Sequence, residues 1–188
     1  MGKLTIAVIE GTTRQARKSI HAARLVFSLA KEFDEIDPVF VDPVEFNFPA
    51  DGNDKINKDP RYTEITERAD GFFIITPEYN HSFPGSLKRM LDTELKNYIH
   101  KPVALAGVSS GPWGGVRAIE ALLPALREMG MTATFTDVQF PHINRLFNDQ
   151  GELQDDEYRD RVRDALTELV WMAKVLSWGR DYVESQYH

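Results

Sequence analysis

The sequence predicts a single α/β domain, three layers deep, spanning residues 1–188. Two observations predict it. Five short apolar runs with strand character alternate with segments of helical periodicity, and there are no internal repeats or low-complexity stretches. The connections between successive runs are short enough to require parallel strands joined by helical crossovers.

The first run, LTIAVIE at 4–10, is rich in β-branched residues and ends at Gly11, which suits a buried strand. A polar loop, GTTRQARKS, leads into a helix predicted over 19–33, with Ile20, Ala23, Val26, Phe27 and Ala30 on one face. PVFVD at 38–42 reads as the second strand. The stretch 43–61 has poor periodicity and carries Pro43, Pro49, Gly52 and Pro60, so a long surface connection is expected. A short helix over 62–69 precedes the third strand, GFFIIT at 71–76. A polar loop follows, and then a helix over 84–98 with Pro84 near its first turn and Leu87, Met90 and Leu91 on its apolar face. KPVALAGVS at 101–109 contains the fourth strand. The glycine-bearing loop SSGPWGG then opens a helix running to residue 129, with Ile119, Leu122, Leu123 and Leu126 as its stripe and Gly130 as its stop. MTATFTDV at 131–138 alternates more than the other strands, which suits an edge. A turn is expected around Asn148, Asp149 and Gly151, and a final amphipathic helix over 155–178.

Composition narrows the function. A formal net charge of -7 argues against a protein that binds nucleic acid mainly by electrostatics. The chain has no cysteine, which excludes disulfides, thiol nucleophiles and cysteine-based metal sites and is compatible with a reducing cytosol. No apolar run approaches the roughly 18 residues of a spanning helix, and MGKLTI has Ile6 where a myristoylation signal has Ser or Thr. A cytoplasmic protein without membrane attachment is the expectation.

Three loops follow the carboxyl ends of strands one, three and four, where an open α/β sheet binds ligands. The first offers the Thr12, Thr13 and Ser19 hydroxyls and the Arg14, Arg17 and Lys18 cations at a helix N-terminus, which is chemically an anion site, most simply for a phosphate. The plain alternative is a turn with a solvated basic rim. A Walker loop fails here, because Ala16, Arg17 and Lys18 stand where Gly, Lys and Ser or Thr are required. The dinucleotide fingerprint fails at Thr13 and Ala16. A hydroxyl-rich loop suited to a phosphomonoester remains.

The second loop presents Pro77, Glu78, Tyr79, Asn80 and His81, a set able to border a planar ring through backbone contacts and stacking. Glu78 could instead pair with a neighbouring base or a partner subunit, and Tyr79 could cap the core. His81 reads more readily as a turn residue than as an acid or base, and Ser82 as a helix cap than as a nucleophile. In the third loop, Ser109, Ser110 and Gly111 allow close backbone approach, and Trp113 stands either at the lip of a site or as a surface aromatic. No His-x-x-x-His pair occurs, and no Ser-His-Asp arrangement is evident from spacing.

The stretch TPEYNHSFPGSLKRMLD, with GTTRQARKS before it and SSGPWGG after it, resembles the NAD(P)H-dependent FMN reductase family of flavodoxin-like proteins. That family includes bacterial quinone, chromate and azo-dye reductases. The resemblance covers residues 3–131, and its most specific part is T-P-E-Y-N-x-S-x-P-G-x-L-K. It implies a flavodoxin-like three-layer sandwich whose five-stranded parallel sheet has the order 2-1-3-4-5. It implies that Thr12, Thr13, Arg14, Arg17 and Ser19 hold the FMN phosphate, that Pro77, Glu78, Tyr79, Asn80 and His81 border the isoalloxazine, and that Ser109, Ser110 and Gly111 close the other side. Ala16 departs from the Gly common in related loops. Ping-pong transfer from NADPH or NADH to a small-molecule acceptor is implied, with the flavin supplying the chemistry and no catalytic side chain or metal required, as is a homodimer or homotetramer. Two other readings stay open: a flavodoxin-type electron carrier, against which the cationic first loop argues, and a non-flavin regulatory module. A receiver domain would need acidic residues where Gly11 and Thr76 stand.

Overall fold

The computed structural model describes residues 2–48 and 58–187. Residues 49–57, part of the long connection expected over 43–61, lie outside the described residues. Five strands form one sheet: β1 (Leu4–Glu10), β2 (Ile36–Val41), β3 (Gly71–Pro77), β4 (Pro102–Val108) and β5 (Thr132–Phe140). Their order is β2-β1-β3-β4-β5, and every neighbouring pair is parallel. Among the described residues six α-helices accompany them: α1 (Ser19–Ala30), α2 (Pro60–Arg68), α3 (Gly85–Leu91), α4 (Val116–Glu128), the short α5 (Ile143–Leu146) and α6 (Glu157–Tyr182). Among the described residues no helix is long and apolar enough to cross a membrane.

The continuous apolar strands are explained by burial on both faces. Successive residues alternate sides, so Ile6, Val8, Phe73, Ile75, Ala104 and Ala106 pack under α1 and α6 against Ala23, Val26, Leu166 and Leu169. Ala7, Ile9, Phe72, Ile74, Val103 and Leu105 pack on the other face against Leu87, Met90, Ile119 and Leu122. The edge strands differ from this pattern. β2 carries Pro38 inside it, tolerable only where a ladder donor is not needed. β5 occupies the opposite edge, as its alternation predicts, and it runs two residues past the expected end. Its register against β4 slips, with Val103 opposite Ala133 but Leu105 opposite Asp137, which leaves Phe135 pointing to solvent.

The helix expected over 84–98 stops at Leu91 and resumes as a 3-10 turn at Lys96–Tyr98. Thr93 explains the break, because its hydroxyl donates to the Met90 carbonyl at 2.7 Å and competes with the helix ladder. The turn then delivers two buried polar side chains to α2. Glu94 accepts from Lys58 Nζ at 2.9 Å and Thr63 Oγ1 at 2.5 Å, and the Tyr98 hydroxyl meets that of Tyr62 at 2.8 Å. Apolar periodicity alone could not reveal this, since Tyr98 falls on the same face as Leu91.

Strand order places the site. The chain passes from β1 outward to β2 and then crosses to β3 on the far side of β1, so the loops after β1 and β3 part in opposite directions and leave a crevice. Gly11 sits at this switch point. Its amide donates to the Ile75 carbonyl at 2.8 Å, and a Cβ there would lie 2.5 Å from that same oxygen. Gly11→Ala should therefore lower stability by about 1–3 kcal/mol through forced backbone separation. Chemical denaturation monitored by circular dichroism checks this, and an unchanged midpoint would contradict it.

Candidate functional site

The phosphate-type loop leaves β1 at Gly11 and enters α1 at Ser19. Lys18 caps that helix without a side-chain bond, so the first amides of α1 face the crevice without a capping side chain. Thr12 is buried and holds the loop's shape. Its hydroxyl accepts from the Arg14 amide at 3.3 Å and pairs with the Tyr79 hydroxyl at 3.2 Å. The Arg14 guanidinium lies over the Tyr79 ring, 5.6 Å from its centroid. The first and second loops are thus joined through Tyr79. Ala16 has an ordinary negative φ, so its departure from Gly brings no backbone strain.

Arg17 behaves differently from Arg14. Its guanidinium pairs with the Asp42 carboxylate at the end of β2, donates to the Arg14 carbonyl at 3.3 Å, and places Nε 3.7 Å from Glu10. Most of its charge is therefore met by protein. Glu10, the last residue of β1, is fully buried, and its Oε1 is hydrogen-bonded with Ser19 Oγ at 2.5 Å. Glu10 Oε2 and Arg17 Nε are buried without a hydrogen-bond partner. Burial pushes the Glu10 carboxyl up to about 8, against the pull of the Ser19 bond and the Arg17 charge and with a further push from Asp42.

The second loop turns tightly. Tyr79 and Ser82 exchange backbone bonds, Tyr79 N–H to Ser82 O at 2.8 Å and Ser82 N–H to Tyr79 O at 3.1 Å. Asn80 and His81 form the two-residue tip with φ of 51° and 67°. Positive φ at both positions marks a primed turn, which favours Asn and accounts for the loop's composition. Glu78 points to α4, where Arg117 donates to its Oε1 from Nε at 2.7 Å. Of the two partners foreseen for Glu78, the structure shows the neighbouring base. The third loop is pinned by Gly115, whose φ of 83° and close approach to Val108 N leave no room for a side chain. The Ser109 hydroxyl donates to the Gly111 carbonyl at 2.9 Å, and the His142 and Ile143 amides donate to Gly111 and Ser109.

These loops enclose a cleft of about 330 Å³. Arg14, Arg17, Ser19, Pro77, Glu78, Tyr79, Ser109 and Ser110 line it. Thr12 supports it from behind, while Thr13, Asn80, His81 and Gly111 do not line it. The wall also contains Ala16, Lys18, Val108, Ile143 and Asn144. Asn144 and Ile143 come from the segment after β5, where the sequence offered no motif; the third loop's bonds to His142 and Ile143, with Ile143 packed in the core, bring it in. Glu10 had a signal, namely an acidic residue closing an otherwise apolar strand beside a basic loop. Among the described residues no cluster of potential metal ligands occurs.

The cleft's lining combines the hydroxyls, cations and helix terminus of the first loop with Pro77, Tyr79 and Val108. The sequence profile of the NADPH-dependent FMN reductase family matches residues 4–144. The chain belongs to that family, and it is an oxidoreductase. An NADPH azoreductase of Bacillus sp. (strain OY1-2) is 26% identical over 168 residues, covering 88% of this chain and 90% of the relative. A 2-hydroxy-1,4-benzoquinone reductase of Burkholderia sp is 32% identical over 191 residues, covering 95% and 97%. Among solved structures, FerB, a flavoenzyme NAD(P)H:(acceptor) oxidoreductase from Paracoccus denitrificans, superposes with a TM-score of 0.74 at 20% identity. It covers 92% of this chain and 98% of its own, and the likeness shows the flavodoxin-like fold.

The buried acid has a consequence for stability. Glu10 titrates near 4.5 unfolded and near 8 folded, so the stability linked to its proton is fully present below about pH 4.5 and lost as pH rises through 8. Glu10→Gln has no such proton. Relative to the unsubstituted chain it should gain up to about 5 kcal/mol between those limits and nothing beyond them. Urea denaturation across that pH range measures the difference, and a gap independent of pH would refute it.

Proposed function

We propose that the cleft binds FMN and that the enzyme uses NADPH or NADH to reduce a quinone or similar small acceptor in a ping-pong cycle. The observation that carries this reading is that one cleft is lined both by a cationic, hydroxyl-bearing helix terminus and by the 77–79 stretch. The residues present fit the group. Ser19, the α1 amides, Arg14 and Lys18 would hold the phosphate, with Thr12 and Thr13 shaping the loop. Arg17 serves the phosphate less directly, because Asp42 already holds its guanidinium.

Pro77, Tyr79, Ser109 and Ser110 would border the ring system, with Gly111 fixing the third loop through the carbonyl that accepts from Ser109. The Tyr79 amide is engaged in the turn, and the Asn80 and His81 amides, outside the cleft lining, would meet only a ring edge that projects beyond it. Glu78 supports the loop through Arg117 rather than presenting charge to the ring. Bound FMN would supply the hydride-accepting and hydride-donating chemistry, so no protein nucleophile or metal is needed. The protein's part is to orient the ring, exclude water behind it and neutralise the phosphate.

The reading extends to a cytoplasmic enzyme acting as a homodimer or homotetramer. An apolar stripe on α6 supports self-association: Trp171, Val175, Trp178 and Tyr182 recur at spacings of four, three and four, and Trp178 and Tyr182 are 53% and 72% exposed.

The purified protein should show a flavin visible spectrum, or gain one with added FMN, and should oxidise NADPH or NADH continuously in the presence of quinones. A stable semiquinone without turnover would point instead to an electron carrier, and failure to take up flavin would overturn the reading. Arg14→Ala should weaken FMN binding about tenfold or more, the loss expected for a charge-assisted phosphate contact. It should leave riboflavin binding nearly unchanged. Equal losses for both flavins would show that Arg14 acts elsewhere.

A further inference from the structure

Ser19 lines the phosphate end of the cleft, yet its hydroxyl is already engaged with Glu10 at 2.5 Å. A serine hydroxyl has one proton to give, so what it offers to the cleft depends on what stands behind it. Behind it stands a carboxyl group with no access to solvent and one oxygen, Oε2, without a partner. The charged groups facing that carboxyl are Arg17 from the loop and Asp42 from the end of β2. Those two are paired with each other, so no cation is fully committed to Glu10.

We propose that Glu10 is a positioning residue for the flavin phosphate, acting through Ser19: protonated Glu10 lets the Ser19 hydroxyl donate into the cleft, and ionised Glu10 turns that proton away. The inference rests on the FMN reading given above. An ionised carboxylate can only accept, so Ser19 must direct its proton to Glu10 and leave its lone pairs facing the incoming anion. A buried negative charge then also lies behind the phosphate. A protonated carboxyl can donate to Ser19 Oγ, and the Ser19 proton is freed for a phosphate oxygen. The proton comes from solvent, and no other bond changes. Burial keeps Glu10 in the donating form up to about pH 8. The site therefore binds a dianion in its ordinary state and loses that capacity in alkali.

The test compares FMN with riboflavin, which has the same ring and no phosphate, by fluorescence titration from about pH 6 to 10 on the full chain and on Glu10→Gln. FMN affinity of the unsubstituted chain should hold to near pH 8 and then fall about tenfold for each further pH unit, the slope of one linked proton. Riboflavin affinity should not show that fall. In Glu10→Gln the side-chain amide donates to Ser19 at every pH, and FMN affinity should stay level. Calorimetry near pH 9 in buffers of different ionisation enthalpy should record about one proton taken up per FMN bound, and none for riboflavin. Those two measurements need no variant, so they decide the matter even if Glu10→Gln fails to fold. FMN and riboflavin profiles that run parallel, or a Glu10→Gln profile as steep as that of the unsubstituted chain, would overturn the inference while leaving the flavin reading intact. Failure of both flavins to bind at neutral pH would overturn both.

Discussion

The close approach of β1 to β3 at their carboxyl ends is the constraint on which the site depends. At Gly11 the backbone comes so near to Ile75 that no side chain fits, and the amide bond to the Ile75 carbonyl continues the sheet pairing one residue into the loop. That extra rung fixes where the first loop starts relative to the second. Tyr79 can then reach Thr12, and Arg14 can lie over Tyr79. The third loop obeys a similar limit, since Gly107 and Gly115 abut where β4 ends and α4 begins. Both walls of the cleft are thus positioned by backbone contacts within a close-packed sheet, and side-chain mobility has little influence on its width.

Charge in the cleft is arranged so that the two arginines of the first loop differ in role. Arg14 is exposed and, among the described residues, its guanidinium is held by stacking on Tyr79, which leaves its donors for an anion. Arg17 is pulled sideways into the wall by Asp42, with Glu10 nearby. Burying a guanidinium between carboxylates costs desolvation that the pairing must offset, and the two orphan atoms show the geometry to be incomplete. A network with missing bonds is conformationally less committed than a saturated one. It is suited to a place where a ligand completes it.

The fold was legible from residues alone because its strands are buried on both sides and therefore appear as uninterrupted apolar runs. GFFIIT and VALAG could hardly be anything but central strands. Sheet order, by contrast, came from family resemblance, since no residue pattern in β2 or β4 specifies its neighbours. Boundaries failed where polar side chains ended an element for tertiary reasons. Thr93 cut α3 short, and Glu94 and Tyr98 were buried against a helix distant in sequence. The site was half legible. Loops opening from strand ends announce themselves by hydroxyls, prolines and glycines, so the 12–19, 77–81 and 109–111 stretches stood out. Ile143 and Asn144 did not, because backbone bonds of His142 and Ile143 to the third loop and the burial of Ile143 in the core bring them to the cleft, and neither leaves a local sequence pattern.

Glu10 shows why a charge count misleads at such a site. Formally it adds a negative charge beneath a pocket suited to phosphate, in a chain already at -7. Burial reverses that effect at neutral pH, because a carboxyl group denied both water and a dedicated cation holds its proton. In that state it is a neutral hydrogen-bond donor, which serves an anion better than an apolar residue could. A leucine at position 10 would fill the space but leave Ser19 Oγ without a partner behind it. A lysine would bring a positive charge that Arg17 opposes at close range. A protonated acid satisfies the serine, adds no charge and lets the hydroxyl turn outward. Its buried carboxyl is tolerated at the end of β1 because there, unlike at the strand's centre, the neighbours are the polar Ser19 and the partly exposed Arg17.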